Sequence, residues 1–140
     1  MVTGDDGVER TDDEELMLHG RCHLFAVALS ELTGLPIGAY LDTDIETERT
    51  VLVHAFVVDG DIGIDIRGRV PLDDIIEGEF DTFEPELVMI SREDVLLLGH
   101  GRGTISQRNP ELLVAKRLAA SLVERLDEPP PPTQMTGPSP

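Results

Sequence analysis

The chain has 140 residues and carries 28 acidic side chains against 11 Lys and Arg, so its formal net charge at pH 7 is −17. That length suits one domain, and that charge opposes binding to nucleic-acid phosphates and to anionic lipid. The longest apolar run, residues 24–29, is far too short to cross a bilayer, and the acidic N-terminus is unlike a secretory signal. The single cysteine, Cys22, excludes an internal disulfide. We expect a cytoplasmic protein that binds neither nucleic acid nor membranes.

The two ends of the chain differ in composition from its middle. Residues 1–11 carry charge and turn formers without apolar periodicity, which predicts a flexible acidic N-terminus. Residues 127–140 contain four consecutive prolines and no apolar face, which predicts a disordered proline-rich tail. Residues 12–126 are therefore expected to form a single folded domain.

The periodicity of this domain changes from helical to alternating and back. A short acidic helix capped at residue 11 or 12 ends before Gly20, and a second helix from Cys22 is stopped by Gly34. Strands are predicted over residues 37–41, 50–58, 61–66 and 85–90, with a short helix over 71–76. A capped helix over 95–98 and a long helix from Pro110 to Leu126 follow. This order predicts an α+β domain with an antiparallel sheet.

The strongest hairpin signal lies between the two β-rich runs on either side of Gly60. If Asp59 and Gly60 form the turn, His54 lies directly opposite Asp65 on the neighbouring strand. If the turn is instead Gly60 and Asp61, the two side chains become diagonal neighbours on the same face. In either register the other face is wholly apolar, and it carries Val53, Ala55, Val57, Ile62, Ile64 and Ile66.

An imidazole oriented by a carboxylate is the arrangement in which His takes a proton from a nucleophile. Cys22 stands at the expected start of a helix, where unpaired N–H groups and the helix dipole favour a thiolate and can also hold an oxyanion. For Cys22 to reach His54, we expect its helix to pack on the His54 face of the hairpin. Gly63 removes bulk beside Phe56 on that face and would leave room for a substrate or another backbone.

Segment 20–26 (GRCHLFA), segment 54–57 (HAFV) and Asp65 together resemble small bacterial and phage-associated proteins related to papain-like cysteine hydrolases. That superfamily includes transglutaminases, peptidases and cell-wall amidases, and the resemblance covers roughly residues 18–70. It implies a papain-like core, in which an N-terminal helix bearing the Cys packs on a small antiparallel sheet. By resemblance, Cys22 would be the nucleophile, His54 the general base and then acid, and Asp65 the orienting acid, without a cofactor.

Many members of that superfamily complete the oxyanion hole with a Gln upstream of the Cys. In this chain the only glutamines are Gln107 and Gln134, so His19 or a backbone amide would have to take that role. His23 is a further candidate for the oxyanion site or for the substrate groove. The resemblance therefore implies a thiol-dependent hydrolase or acyl transferase, such as a peptidase, amidase or deamidase, with a protein or peptide substrate. The acidic surface of the protein is compatible with a basic substrate.

Two other interpretations use the same residues. In the first, the protein is a non-catalytic acidic interaction module, with Cys22 a buried hydrophobe and His54 and Asp65 a structural pair. In the second, His19, Cys22 and His23 hold zinc together with a further ligand from the hairpin. Gly20 interrupts the helix between His19 and Cys22, and the spacing matches no standard zinc motif, so we assign no metal site.

Overall fold

The computed structural model describes residues 2–3, 9–44, 46–76 and 85–127, and within these ranges the chain is α+β with four helices and a five-stranded antiparallel sheet. The helices are α1 (Asp12–Leu18), α2 (Cys22–Thr33), α3 (Arg92–His100) and α4 (Pro110–Asp127), with a 3-10 turn at Leu72–Asp74. The strands are β1 (Val2–Thr3), β2 (Glu9–Arg10), β3 (Ile37–Thr43), β4 (Thr50–Asp59), β5 (Ile62–Asp65), β6 (Gly68–Pro71) and β7 (Glu86–Ile90). The predicted α+β class with an antiparallel sheet is confirmed.

The ends of the helices follow the capping residues in the sequence. Thr11 and Glu14 form a reciprocal capping box at the start of α1. The left-handed Gly34, with φ of 75°, ends α2 at the predicted residue. Asn109 Oδ1 accepts hydrogen bonds from the first backbone N–H groups of α4. No helix in the described ranges combines the length and the apolar content that a membrane span requires.

Few residues of the two predicted ends lie within the described ranges. β1 and β2 pair as a short antiparallel ladder, with Val2 opposite Arg10, which the sequence did not predict. The predicted proline-rich tail lies outside the described residues, except for Asp127, which ends α4.

The larger sheet has the strand order β6-β5-β4-β3-β7, so β4 lies at its centre. Val57 pairs with Ile64 and Val58 with Gly63, which makes Gly60 and Asp61 the turn residues. Gly60 has φ of 66°, a conformation that glycine adopts without strain and that suits the first position of such a turn. The prediction of a turn at Asp59 and Gly60 is therefore wrong, and the alternative register, with the turn at Gly60 and Asp61, is the observed one.

A second tight hairpin directly follows the first. Asp65 pairs with Gly68, so β6 returns antiparallel to β5 after a reversal at residues 66 and 67. The sequence prediction missed β6 because its residues alternate weakly and the strand is short. The helix predicted over residues 71–76 is instead a 3-10 turn at Leu72–Asp74.

The expected packing of α2 on the His54 face is wrong. The buried side chains of α2 form one core with Ala55, Val57 and Ile64, which lie on the opposite, wholly apolar face of the sheet. That face offers a continuous branched aliphatic surface, and its burial against helices stabilises the fold most. The face that carries His54 is covered by the segment after β6, because the Leu72 and Ile75 side chains lie over Gly63.

Candidate active site

His54 and Asp65 form a buried pair at the centre of the sheet. The His54 Nε2 and the Asp65 Oδ2 are 2.8 Å apart, and both residues are at least 99% buried, with exposed fractions of 0% and 1%. The diagonal register on one face of β4 and β5 brings these side chains together. A carboxylate can only accept hydrogen bonds. His54 therefore carries a proton on Nε2 and donates a hydrogen bond to Asp65.

Arg67 holds the same carboxylate from the turn after β5. Its backbone N–H donates to Asp65 Oδ1 at 2.8 Å, and its guanidinium Nη2 donates to Oδ2 at 2.6 Å. The same Nη2 also donates to the carbonyl oxygen of Ile75 at 2.5 Å. Burial alone would raise the pKa of Asp65, but hydrogen bonds and charge from His54 and Arg67 lower it to about 2. Asp65 is therefore a carboxylate at neutral pH.

Cys22 reaches this pair from the start of α2. Its Sγ accepts a hydrogen bond from the backbone N–H of Ala55, the residue after His54, at 3.4 Å. A β-bulge precedes His54, since Tyr40 pairs with His54 but Leu41 pairs with Leu52, which leaves Val53 as the extra residue. Bulges redirect neighbouring side chains. The first residue of α2 therefore meets His54 although the helix packs on the other face.

The surroundings of His54 favour its protonated form. Burial by itself lowers the pKa of the imidazole, but the Asp65 carboxylate and the adjacent Cys22 sulfur outweigh that effect and raise it to about 9. An imidazolium with a carboxylate on one ring nitrogen and a sulfur beside it is the charge arrangement of an activated thiol. The His54 imidazole is therefore placed to exchange a proton with the Cys22 sulfur.

A pocket of about 290 Å³ opens at the sulfur end of this cluster. Its walls come from the start of α2, the end of α3 and the first half of β4. They are formed by Gly20, Cys22, His23, Arg49, Thr50, Val51, Leu52, Val53, Leu98 and Gly99. Cys22 is 6% exposed, whereas His54 is fully buried behind it. A molecule in the pocket would thus meet the thiol before the imidazole.

Only one of the two histidine candidates for the oxyanion site or groove lines this pocket. His19 lies within 3.4 Å of the Glu15 carboxylate at the end of α1 and is absent from the pocket walls. His23 lines the pocket, and its Nε2 has no hydrogen-bond partner among the described residues. Burial, His100 and Arg21 lower the pKa of His23 to about 4, so its imidazole is neutral. An added Cβ at Gly99 would lie 2.4 Å from the His23 ring, which explains the glycine there.

Phe56 and Gly63 do not form a groove. Phe56 is fully buried, and its ring centroid lies 5.7 Å from that of His54 and 5.8 Å from that of Tyr40. The space beside Gly63 is occupied, since an added Cβ would come within contact distance of Ile75, Phe56 and Leu72. These residues therefore support the imidazole from behind and leave no room for a substrate on that side.

Two arginines at this site were not among the sequence candidates. Arg67 lies in the tight reversal directly after Asp65, and this reversal places it on the carboxylate. Arg49 follows the acidic loop, and no pattern in the sequence relates it to Cys22. Among the residues that the structure describes, no group of three or more His, Cys, Asp or Glu side chains is placed to hold a metal ion.

Comparisons with protein-family models, with curated proteins and with solved structures found no match to this chain.

Proposed function

We propose that this protein is a thiol-dependent hydrolase or acyl transferase that acts on an amide or related acyl bond. The observation that carries the proposal is the meeting of Cys22, His54 and Asp65, from three different elements, in one buried cluster that opens to a pocket at the thiol. Cys22 would be the nucleophile, His54 the proton carrier, and Asp65 the group that orients the imidazole and stabilises its charge.

In the first half of the reaction the Cys22 thiolate attacks the carbonyl carbon, and the carbonyl electron pair moves to oxygen. When the tetrahedral intermediate collapses, the bond to the leaving amine breaks and the amine takes the proton of the His54 imidazolium. In the second half neutral His54 removes a proton from water or from an acceptor amine, which attacks the thioester. The carbon–sulfur bond then breaks and restores the thiolate.

The oxyanion of both intermediates would be held at the start of α2. The first N–H groups of a helix have no partner within the helix, and Arg21, which precedes Cys22, supplies no side-chain acceptor to them. Such donors stabilise negative charge that develops next to the nucleophile. This arrangement needs neither His19 nor an upstream glutamine.

The papain-like resemblance, which rests on the same residues, agrees with the proposal. In that superfamily a Cys at a helix start, a His on a strand and an Asp or Asn on the next strand follow one another along the chain. Here the corresponding positions are the first residue of α2, the middle of β4 and the end of β5. On this basis we extend the proposal to a papain-like core and to a protein or peptide substrate.

The test is alkylation of Cys22, the only cysteine, with iodoacetamide between pH 5 and 9, followed by mass spectrometry. Because the His54 imidazolium stabilises a thiolate, we expect labelling to remain fast at pH 6, where an ordinary thiol is almost fully protonated. His54→Gln should slow labelling at pH 6 at least about tenfold, since one pKa unit changes the thiolate fraction tenfold. His19→Gln, the matched control on α1, should leave the rate unchanged. Cys22→Ser should give no label.

The burial of the cluster favours one alternative, a non-catalytic interaction module. Cys22 is only 6% exposed and His54 not at all, which also fits a structural pair beneath the surface. In that case Cys22 would be labelled only after unfolding in urea, or at a rate that follows an ordinary thiol and is indifferent to His54→Gln. Either result would reject the hydrolase. A fast, His54-dependent thiol should next be challenged with a library of acyl and peptidyl electrophiles.

A further inference from the structure

The charge lining the Cys22 pocket differs from the charge of the protein as a whole. Among the residues that the structure describes, the pocket walls contain no carboxylate, and Arg49 is their one permanently charged side chain. His23, which also lines the pocket, is neutral because its pKa is lowered to about 4. An acidic protein of net charge −17 thus has a reactive pocket whose charged group is a cation.

The guanidinium of Arg49 is available to a ligand. Within the described ranges it forms no ion pair and no side-chain hydrogen bond, although its backbone N–H donates to Thr47 at 3.4 Å. Arg49 also lines a neighbouring pocket, whose walls include the acidic residues Asp42, Asp44 and Glu46. By contrast, Arg21 at the start of α2 is already bound to Glu111 at 2.7 Å.

We propose, building on the thiol chemistry above, that the pocket takes an acyl substrate with an anionic group, a carboxylate in its simplest form, close to the scissile bond, and that Arg49 binds that group. The planar fork of an arginine matches a carboxylate with two parallel hydrogen bonds. A bound carboxylate would fix the orientation of the acyl carbon relative to Cys22. Arg49 is then a specificity-determining residue.

The overall acidity of the protein does not cancel this preference. Charges separated by more than about 8 Å are largely screened at physiological ionic strength, so distant carboxylates act weakly on a bound ligand. The distant carboxylates slow the approach of an anion. The contact with Arg49 acts only after the anion has entered the pocket. The pocket therefore selects anionic ligands, although the surface as a whole attracts cations.

Two small alkylating reagents that differ in charge test this proposal directly. Iodoacetate and iodoacetamide both transfer a carbon to the Cys22 sulfur and release iodide, but only iodoacetate carries a carboxylate. We expect Arg49→Gln to lower the ratio of the iodoacetate rate to the iodoacetamide rate by about three- to tenfold at low salt, and Arg49→Glu to lower it further. Arg108→Gln is the matched control, because it removes an exposed positive charge that does not line the pocket.

The outcomes separate this inference from the proposed function. A reactive, His54-dependent Cys22 whose rate ratio is the same in Arg49→Gln and Arg108→Gln would overturn the role of Arg49 and leave the thiol chemistry intact. An equal slowing of both reagents by Arg49→Gln would also overturn it, since Arg49 would then act on the thiol. A Cys22 that neither reagent labels in the folded protein would overturn both proposals. A loss of the effect in 1 M salt would support charge recognition.

Discussion

Arg67 binds the carboxylate of Asp65 through both its backbone and its side chain, only two residues further along the chain. The tight reversal between β5 and β6 makes this possible, because it turns the chain back over the end of its own strand. Asp65 therefore receives hydrogen bonds from both Arg67 and His54, which share its Oδ2 atom. A carboxylate that is almost fully buried can stay ionised only with such partners.

Asp65→Asn is the most direct test of this arrangement. The amide has nearly the same shape but no charge, so it leaves the Arg67 guanidinium and the His54 imidazole without their counter-ion. We expect the free energy of unfolding in urea to fall by about 3–5 kcal/mol, as when one partner of a buried ion pair is removed. Cys22 alkylation at pH 6 should also slow at least about tenfold, because the imidazolium loses its stabilising charge.

The control for that variant is Asp61→Asn, which makes the same change at an exposed position of the β4–β5 turn. It should change both the free energy of unfolding and the alkylation rate little. If Asp65→Asn were as mild as Asp61→Asn, the His54 imidazole would not depend on this carboxylate.

Arg67→Lys and Arg67→Gln separate the charge of Arg67 from its geometry. Lys keeps the positive charge but cannot bond both the carboxylate and the Ile75 carbonyl as a planar fork does, so we expect a loss of about 1–3 kcal/mol in the free energy of unfolding. Arg67→Gln also removes the charge, so we expect it to lower the free energy of unfolding more than Arg67→Lys does. Arg69→Gln, at an exposed position of β6, should cost little. Equal losses in Arg67→Lys and Arg67→Gln would show that the charge contributes nothing.

Local signals in the sequence located the helices and the His54–Asp65 pair. The bounds of α2 match the prediction because Gly34 ends the helix in the left-handed conformation, which few other residues adopt easily. The pair was placed on one face in both registers considered, since a shift of the turn by one residue moves the sum of paired positions by two and preserves the faces. The sequence could not decide between the two turns considered, because Asp-Gly and Gly-Asp are both good turns.

Long-range packing was not predictable in the same way. Both faces of β4 are apolar enough to receive a helix, since Phe56 lies on one and Val57 on the other, so periodicity alone cannot choose between them. The choice follows from the segment after β6, whose Ile75 fills the space at Gly63. The bulge at Val53 then allows Cys22 to meet His54 from the other face, and bulges have no signature in a single sequence.

Gly63→Ala tests how tightly that segment covers the His54 face. The new Cβ would lie 2.3 Å from the Ile75 Cδ1, so we expect overpacking to lower the free energy of unfolding by about 1–3 kcal/mol. Ile75→Val removes the clashing methyl group, and the double variant should therefore lose less than the sum of the two single variants. Additive losses in this cycle, measured by urea unfolding, would place Ile75 away from Gly63.

The two buried histidines respond to pH in opposite directions. The pKa of His54 is raised to about 9, so its protonation stabilises the fold fully below the unfolded value of 6.5, and this contribution is lost as the pH rises to 9. The pKa of His23 is lowered to about 4, chiefly by burial, so its neutral form stabilises the fold above 6.5, and this contribution is lost as the pH falls to 4.

We therefore expect the free energy of unfolding, measured in urea at constant ionic strength, to be greatest near pH 6.5. Each histidine would contribute up to about 3 kcal/mol to the decline on its own side, because one pKa unit corresponds to about 1.4 kcal/mol. His54→Gln should flatten the decline between pH 6.5 and 9, and His23→Gln should flatten the decline between pH 6.5 and 4. Asp65 adds to the acid decline below about pH 4, because its pKa of about 2 keeps its stabilising charge until that range. A profile in which His23→Gln changes the alkaline side would contradict the assignment, since only a histidine with a raised pKa can act there.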